Sequence, residues 1–266
     1  MHTDSPGRRV VLVIAGHDPS GGAGVQADIE TITANGCGCV SVITALTAQN
    51  TSGFSALYPQ QPGRFRKQAR MLTADINVHA VKLGLIGSVA LADSISAILS
   101  ELPAGLPVVF DPVLAAGSGE PVAGRELMKA MRTKLFGLTT ILTPNITEAR
   151  LLARRKDIHR AAEELLKWGC QSVLVTGADE NTPKVRNILF SRDFAPEHYE
   201  WERLPGIFHG SGCTLSSSIA AQLAQGLDIK TAASRAQEYT WQTLKHGYQL
   251  GGGQKHPDRF FKQRDF

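Results

Sequence analysis

At 266 residues the chain has room for one large α/β domain or two small ones, and 42% hydrophobic with 20% charged residues is ordinary for a globular protein in water. A formal net charge of +4, with no Lys/Arg stripe and only 6% aromatic residues, argues against nucleic acid as a partner. No apolar run approaches the length of a membrane span, and Met1 to Arg9 carries no apolar targeting segment. The four cysteines, Cys37, Cys39, Cys170 and Cys213, form neither a disulfide framework nor a zinc-binding spacing, so a reducing, cytoplasmic setting is expected.

In chain order, Val10-Val11-Leu12-Val13-Ile14 is uninterrupted and β-branched, as a strand buried on both faces must be. A glycine-rich loop follows over 16–24, then a helix over 25–34 closed by Gly36. Further strands are predicted at 39–45, 80–86, 108–110, 140–142 and 172–175, with helices at 63–73, 89–99, 126–134 and 160–168 between them. Residues 185–190 and 198–204 read as a late edge hairpin. Repeated β-then-α predicts a three-layer α/β fold, a mostly parallel sheet flanked by helices on both faces. Neither a repeat nor a linker divides 1–266, so a single domain is expected, with a flexible, charged tail from Gly251-Gly252-Gly253 onward.

Loops at the strand ends carry the functional signal. Gly16 to Gly24 holds glycines at 21, 22 and 24, more than a turn requires, and so faces a ligand. It lacks the Gly-Lys-Ser/Thr ending of a P-loop and does not fit the dinucleotide fingerprint. Residues 44–51 form a polar stretch in which the Gln49 carboxamide offers a donor and an acceptor side by side, matching an aminopyrimidine edge as Gln matches adenine. Asp111, at the end of a strand in Phe110-Asp111-Pro112, is placed either to cap a turn or to hold magnesium through water. Asn145 and Glu148 have the spacing of a capping box, with a carboxylate near magnesium and phosphate as the alternative. The strongest signal is Phe208-His209-Gly210-Ser211-Gly212-Cys213-Thr214, whose following Leu215, Ile219 and Leu223 mark a helix. Small residues opening a helix leave its first N–H groups free for an anion, and a thiol there is expected to have a depressed pKa.

The stretches AGHDPSGGAGVQAD, VITALTAQNT, VKLGLIG, DPVLAAGSGEP, LTPNITEARLL and HGSGCTLSSSIAAQLAQG together resemble the hydroxymethylpyrimidine/phosphomethylpyrimidine kinases, a branch of the ribokinase-like superfamily. The resemblance implies a ribokinase-like fold, ATP with Mg2+ as cofactors, a place in thiamine biosynthesis, a homodimer, and two successive phosphoryl transfers to a small pyrimidine. It assigns Gly16, Asp28, Thr47, Gln49, Leu85 and Val113 to the pyrimidine pocket, and Asn145, Ser211 and Thr176 to the nucleotide. Asp111 and Glu148 go to the metal, and Gly210, Gly212 and Cys213 to the anion hole and the base. Two lysines common in the family are replaced by Gly117 and Thr176, so either Lys184, Arg186 or another base supplies the charge, or catalysis has weakened. Phe208 and His17 also depart from the pattern. Lys82, inside an apolar strand, reads as a structural, paired lysine, and His209 as a stacking or capping group. The alternatives that remain are a pyridoxal or pyridoxine kinase and a pyrimidine-binding sensor with weakened catalysis.

Overall fold

The structure, a computed structural model, describes residues 7–263. Expectations for residues 1–6 and 264–266 lie outside the described residues.

A nine-stranded sheet runs through the molecule in the order β3-β2-β1-β4-β5-β6-β7-β8-β9. Its strands are β1 (Val10–His17), β2 (Gly38–Gln49), β3 (Phe54–Pro59), β4 (Ala80–Leu83), β5 (Val108–Phe110), β6 (Ile141–Leu142), β7 (Ser172–Val175), β8 (Lys184–Ser191) and β9 (Glu197–Glu202). From β2 to β7 every neighbouring pair is parallel, while β3, β8 and β9 join antiparallel at the two margins.

Alternation along the central strands sorts the core into two layers, because successive side chains leave a strand on opposite faces. Leu12, Ile14, Val81, Leu83 and Phe110 pack against α2 (Pro62–Asp75), α3 (Val89–Glu101), α4 (Arg125–Ala130), α5 (Ile146–Ala153) and α6 (Ile158–Lys167). Val11, Val13, Val109 and Leu174 face α1 (Gly24–Ala34), α7 (Ser211–Ala224) and α8 (Ile229–Lys245). Each fully buried aliphatic side chain contributes about 1.5–3 kcal/mol. The parallel strands end along one edge, which gathers the loops after β1, β4, β5, β6 and β7 and is where such sheets bind ligands.

Three expectations change. Residues 44–49 are not a loop: β2 runs on to Gln49 and pairs with the unpredicted β3, as in Thr47↔Leu57. The helix expected over 126–134 is α4 followed by a π-helical turn at Met131–Leu135. Residues 254–259 of the expected tail are anchored, not free: His256, Pro257, Asp258 and Arg259 are buried.

Candidate active site

Helix α7 divides two clefts. Gly210 caps it with a left-handed backbone, φ 70°, and its carbonyl accepts from Thr214 N and Thr214 Oγ1, both at 2.9 Å. A side chain at Gly210 would place Cβ 2.0 Å from the Gly22 carbonyl oxygen, so the start of α7 and the loop after β1 touch backbone to backbone. Ser211 and Gly212 line a cleft of 330 Å³ whose walls include Thr176, Arg203, Trp201 and Trp241. Cys213 instead faces a pocket of 80 Å³ on the other side.

Gly16, Thr47, Gln49, Leu85 and Val113 come together around the smaller pocket. Asp28 does not line it. It is fully buried beneath the pocket, 2.8 Å from Lys82 Nζ and accepting from Ser217 Oγ at 2.7 Å. Lys82 is the paired lysine that its place in an apolar strand suggested. Burial alone would lower its pKa, but the Asp28 carboxylate beside it outweighs burial and holds it raised, with Asp111 adding to this. The two charges offset each other, so the pocket rests on a buried, charge-balanced ion pair of which only Lys82 reaches its lining.

Asp111 and Glu148 lie behind the start of α7. Asp111 Oδ2 sits 3.6 Å from where a Gly212 Cβ would be. Burial raises its pKa to about 6 against the pull of Lys82. Glu148 rises to about 8, through burial and then the charge of Asp111. Both Glu148 oxygens accept backbone N–H groups, from Asn145 at 3.0 Å and Leu114 at 3.2 Å. Asn145 Oδ1 accepts from Glu148 N at 2.7 Å, so the capping box is fully formed and lines neither cleft. Among the described residues no group of three or more His, Cys, Asp or Glu is arranged to hold a bare ion. Two mutually repelling carboxylates do fit magnesium, which keeps most of its own waters.

The Cys213 thiol departs from expectation. Burial pushes its pKa up to about 12, with Asp111 and Asp28 adding to this against Lys82. The partial positive charge of a helix start does not offset a desolvated pocket backed by carboxylates. Lys184 and Arg186 do not replace the family lysines, since both pair with Glu200 on the exposed face at 2.9 and 3.0 Å. Arg203 is the cation in the larger cleft, where it donates to the carbonyls of Ala178, Thr182 and Glu180. At Gly117 a Cβ would lie 2.8 Å from His209 Nδ1, which leaves no room for a side chain.

Sequence reasoning missed the pair Asp18–His209, with Oδ2 and Nε2 2.9 Å apart and both residues buried. Burial acts to raise the Asp18 pKa, but hydrogen bonds from His209 and Ser20 hold it well below the carboxylate range. It also missed the cleft floor, where Gln237 Oε1 accepts from Asn187 Nδ2 at 2.8 Å and Trp201 Nε1 at 3.2 Å. The AGHDPSGG and FHGSG motifs each contain one partner of the first pair, but nothing in sequence spacing joins them.

The family description "Phosphomethylpyrimidine kinase" matches residues 18–258, which take in the ligand loops described above apart from Gly16 and His17. The chain belongs to that family. The phosphotransferase assignment that the resemblance implied therefore stands, as does the ribokinase-like α/β fold. The hydroxymethylpyrimidine/phosphomethylpyrimidine kinase of Streptomyces coelicolor is 35% identical over 253 residues, covering 92% of this chain and 91% of that protein. A crystal structure of phosphomethylpyrimidine kinase from Clostridium difficile aligns with a TM-score of 0.76 at 33% identity, covering 88% of this chain and 98% of that one. The ADP complex of Bacillus subtilis pyridoxal kinase aligns with a TM-score of 0.87 at 28% identity, covering 97% of this chain and 100% of that one. No helix among the described residues is long and apolar enough to cross a membrane.

Proposed function

We propose that this kinase moves the terminal phosphoryl group of ATP first to the hydroxymethyl oxygen of a hydroxymethylpyrimidine and then to the phosphate so formed. The observation that carries the reading is the position of α7: Ser211 and Gly212 face the larger cleft and Cys213 the smaller. A phosphate at the helix start meets free N–H groups and a partial positive charge while the acceptor lies one residue away. Phosphoryl transfer is mostly positioning and charge stabilisation, which this arrangement supplies.

ATP occupies the larger cleft, its base near Trp201 and Trp241, and the acceptor occupies the smaller one, its amino edge toward Gln49. At 80 Å³ the acceptor pocket is tighter than the several hundred Å³ typical of ligand sites. A substituted pyrimidine therefore enters with an outward shift of the β2–β3 hairpin or of the 115–121 loop. Mg2+, held through water by Asp111 and Glu148, would neutralise the phosphate oxygens. A neutral thiol at Cys213 does not repel an acceptor that is already a phosphate. With the alcohol acceptor a proton has to leave, and Asp111, within hydrogen-bond reach of the thiol, can receive it by way of Sγ.

The second reading, a pyridoxal kinase, is favoured by the higher TM-score of the Bacillus subtilis enzyme, 0.87 against 0.76. The test is incubation with ATP, Mg2+ and each acceptor in turn, with products resolved by mass. Mono- and diphosphate of the pyrimidine are expected, and faster turnover of pyridoxal would reverse the order of the two readings. Binding of pyrimidine with no ATP-dependent product would leave only the sensor. A homodimer in a reducing cytosolic compartment completes the proposal, its mass measurable by light scattering.

A further inference from the structure

We infer that Arg259 is a positioning residue for phosphoryl transfer, fixing the loop after β1 against the start of α7. The inference rests on the two-cleft reading above. Arg259 is 2% exposed, and its guanidinium spans both sides of the Gly22–Gly210 contact. Nη2 donates to the Gly22 carbonyl at 2.5 Å and Nη1 to the Gly21 carbonyl at 3.4 Å, on the acceptor side. Nε donates to Thr214 Oγ1 at 3.1 Å, and that hydroxyl in turn donates to the Gly210 carbonyl on the phosphate side. The charge is balanced by Glu30 at 2.9 Å. A planar fork with five N–H donors can hold this set, and a lysine ammonium cannot.

The segment carrying Arg259 is itself tied to three of the ligand loops. Gln254 Nε2 donates to the Gly117 carbonyl at 2.9 Å, and His256 Nε2 lies 3.2 Å from the Ser20 carbonyl. Lys255 brackets Phe208, donating its N–H to Ile207 O and accepting from His209 N, both at 2.9 Å. The Tyr239 hydroxyl donates to the Arg259 carbonyl at 2.7 Å, which fastens the segment to α8. Residues 254–259 thus act as a strap over three loops. Arg259 is the member reaching both the acceptor loop and the first turn of α7. A displacement of about 1 Å between reacting groups costs about 100-fold in rate, and this is the displacement that Arg259 prevents.

The experiment uses the full chain with R259Q and R259K, followed by steady-state kinetics and hydrogen exchange read by mass spectrometry. In R259Q, kcat is expected to fall about 100-fold with KM for the pyrimidine changed less than threefold. Amides of residues 20–24 and 210–214 should exchange at least about tenfold faster while those of β1 and β4 keep their rates. Unchanged loop exchange, a uniform rise across the sheet, or kcat within about threefold of the parent would each overturn the inference. Should R259Q fail to fold, R259K retains the charge toward Glu30 and is expected to give the same loop-confined pattern in weaker form. A parent chain that makes no phosphorylated product would sink the functional reading, while the exchange measurement would still decide the role of Arg259.

Discussion

Lys82 Nζ and Asp28 Oδ1 lie 2.8 Å apart with both side chains wholly removed from solvent. Removing one partner strands the other as an uncompensated buried charge. K82M is therefore expected to lower unfolding free energy by about 3–5 kcal/mol, and K82M/D28N to recover most of that loss. Denaturant titration of the three proteins checks this, and a double variant no better than K82M would contradict it.

Glu148 supplies a pH signature. It holds its proton up to about 8 when folded and releases it near 4.5 when unfolded. Between those values the folded state binds more protons, so this group's contribution to stability is present at low pH and is lost as pH rises. Replacing it by Gln disturbs the bond from Leu114 at every pH, yet the stability gap between E148Q and the parent should move in the variant's favour from about pH 5 to about pH 8. Added Mg2+ should raise the parent's melting temperature at the upper end and E148Q's less. A gap independent of pH would show that Glu148 is ionised throughout.

Cys213 is a thiol in the resting site, its pKa pushed up to about 12 by burial. Its alkylation by iodoacetamide, followed at that residue by peptide mass mapping, should climb steadily with pH and show no plateau in the neutral range. C213D should impair transfer to the phosphate acceptor more than transfer to the alcohol, because a carboxylate beside a phosphate in a partly dry site is repelled by several kcal/mol, about 100-fold or more in rate. Equal losses on both acceptors would remove the electrostatic account of this cysteine.

Two glycine substitutions separate backbone from side-chain effects. G210A forces a Cβ to within 2.0 Å of Gly22 O at φ 70°, and kcat should drop by about 100- to 1,000-fold as the N–H cradle is displaced. G117K adds the lysine common in the family, but its Cβ meets His209 Nδ1 at 2.8 Å. It should lower activity rather than raise it. A gain in kcat/KM for ATP would mean that the 115–121 loop yields and the missing charge is limiting.

Nucleotide binding should be visible optically. Two of the three tryptophans, Trp201 and Trp241, line the larger cleft with ring centroids 6.4 Å apart. ADP should quench emission in the parent and in W168F, and not in W201F/W241F. Quenching that survives in the double variant would place the base elsewhere.

The central strands were legible because Val10 to Ile14 and its parallel neighbours are covered on both sides and must be apolar throughout. Helix α7 was legible from its stripe at 215, 219 and 223, and the hairpin read at 185–190 and 198–204 is β8–β9 at the sheet margin. The β2–β3 hairpin was not, because it overhangs the helical layers: with little to bury, Thr47, Gln49 and Tyr58 carry no alternation, and a polar strand reads as a loop. Asp28 was misplaced for a related reason, since motif position records neighbours in the chain but not the Lys82 ammonium arriving from β4. Arg259 lies in a stretch whose charge suggested solvent. Its partners are carbonyl oxygens, which no sequence pattern displays.

Gly22 and Gly210 meet through main-chain atoms, so the gauge between phosphate cradle and acceptor loop is set by two peptides in contact, held together by Arg259. The side chains that line the acceptor pocket take no part in that contact. Residues such as Gln49, Leu85 and Val113 can therefore be exchanged to admit a different flat heterocycle while the spacing for transfer stays constant. Acceptor choice and reaction distance are, in this architecture, separately adjustable.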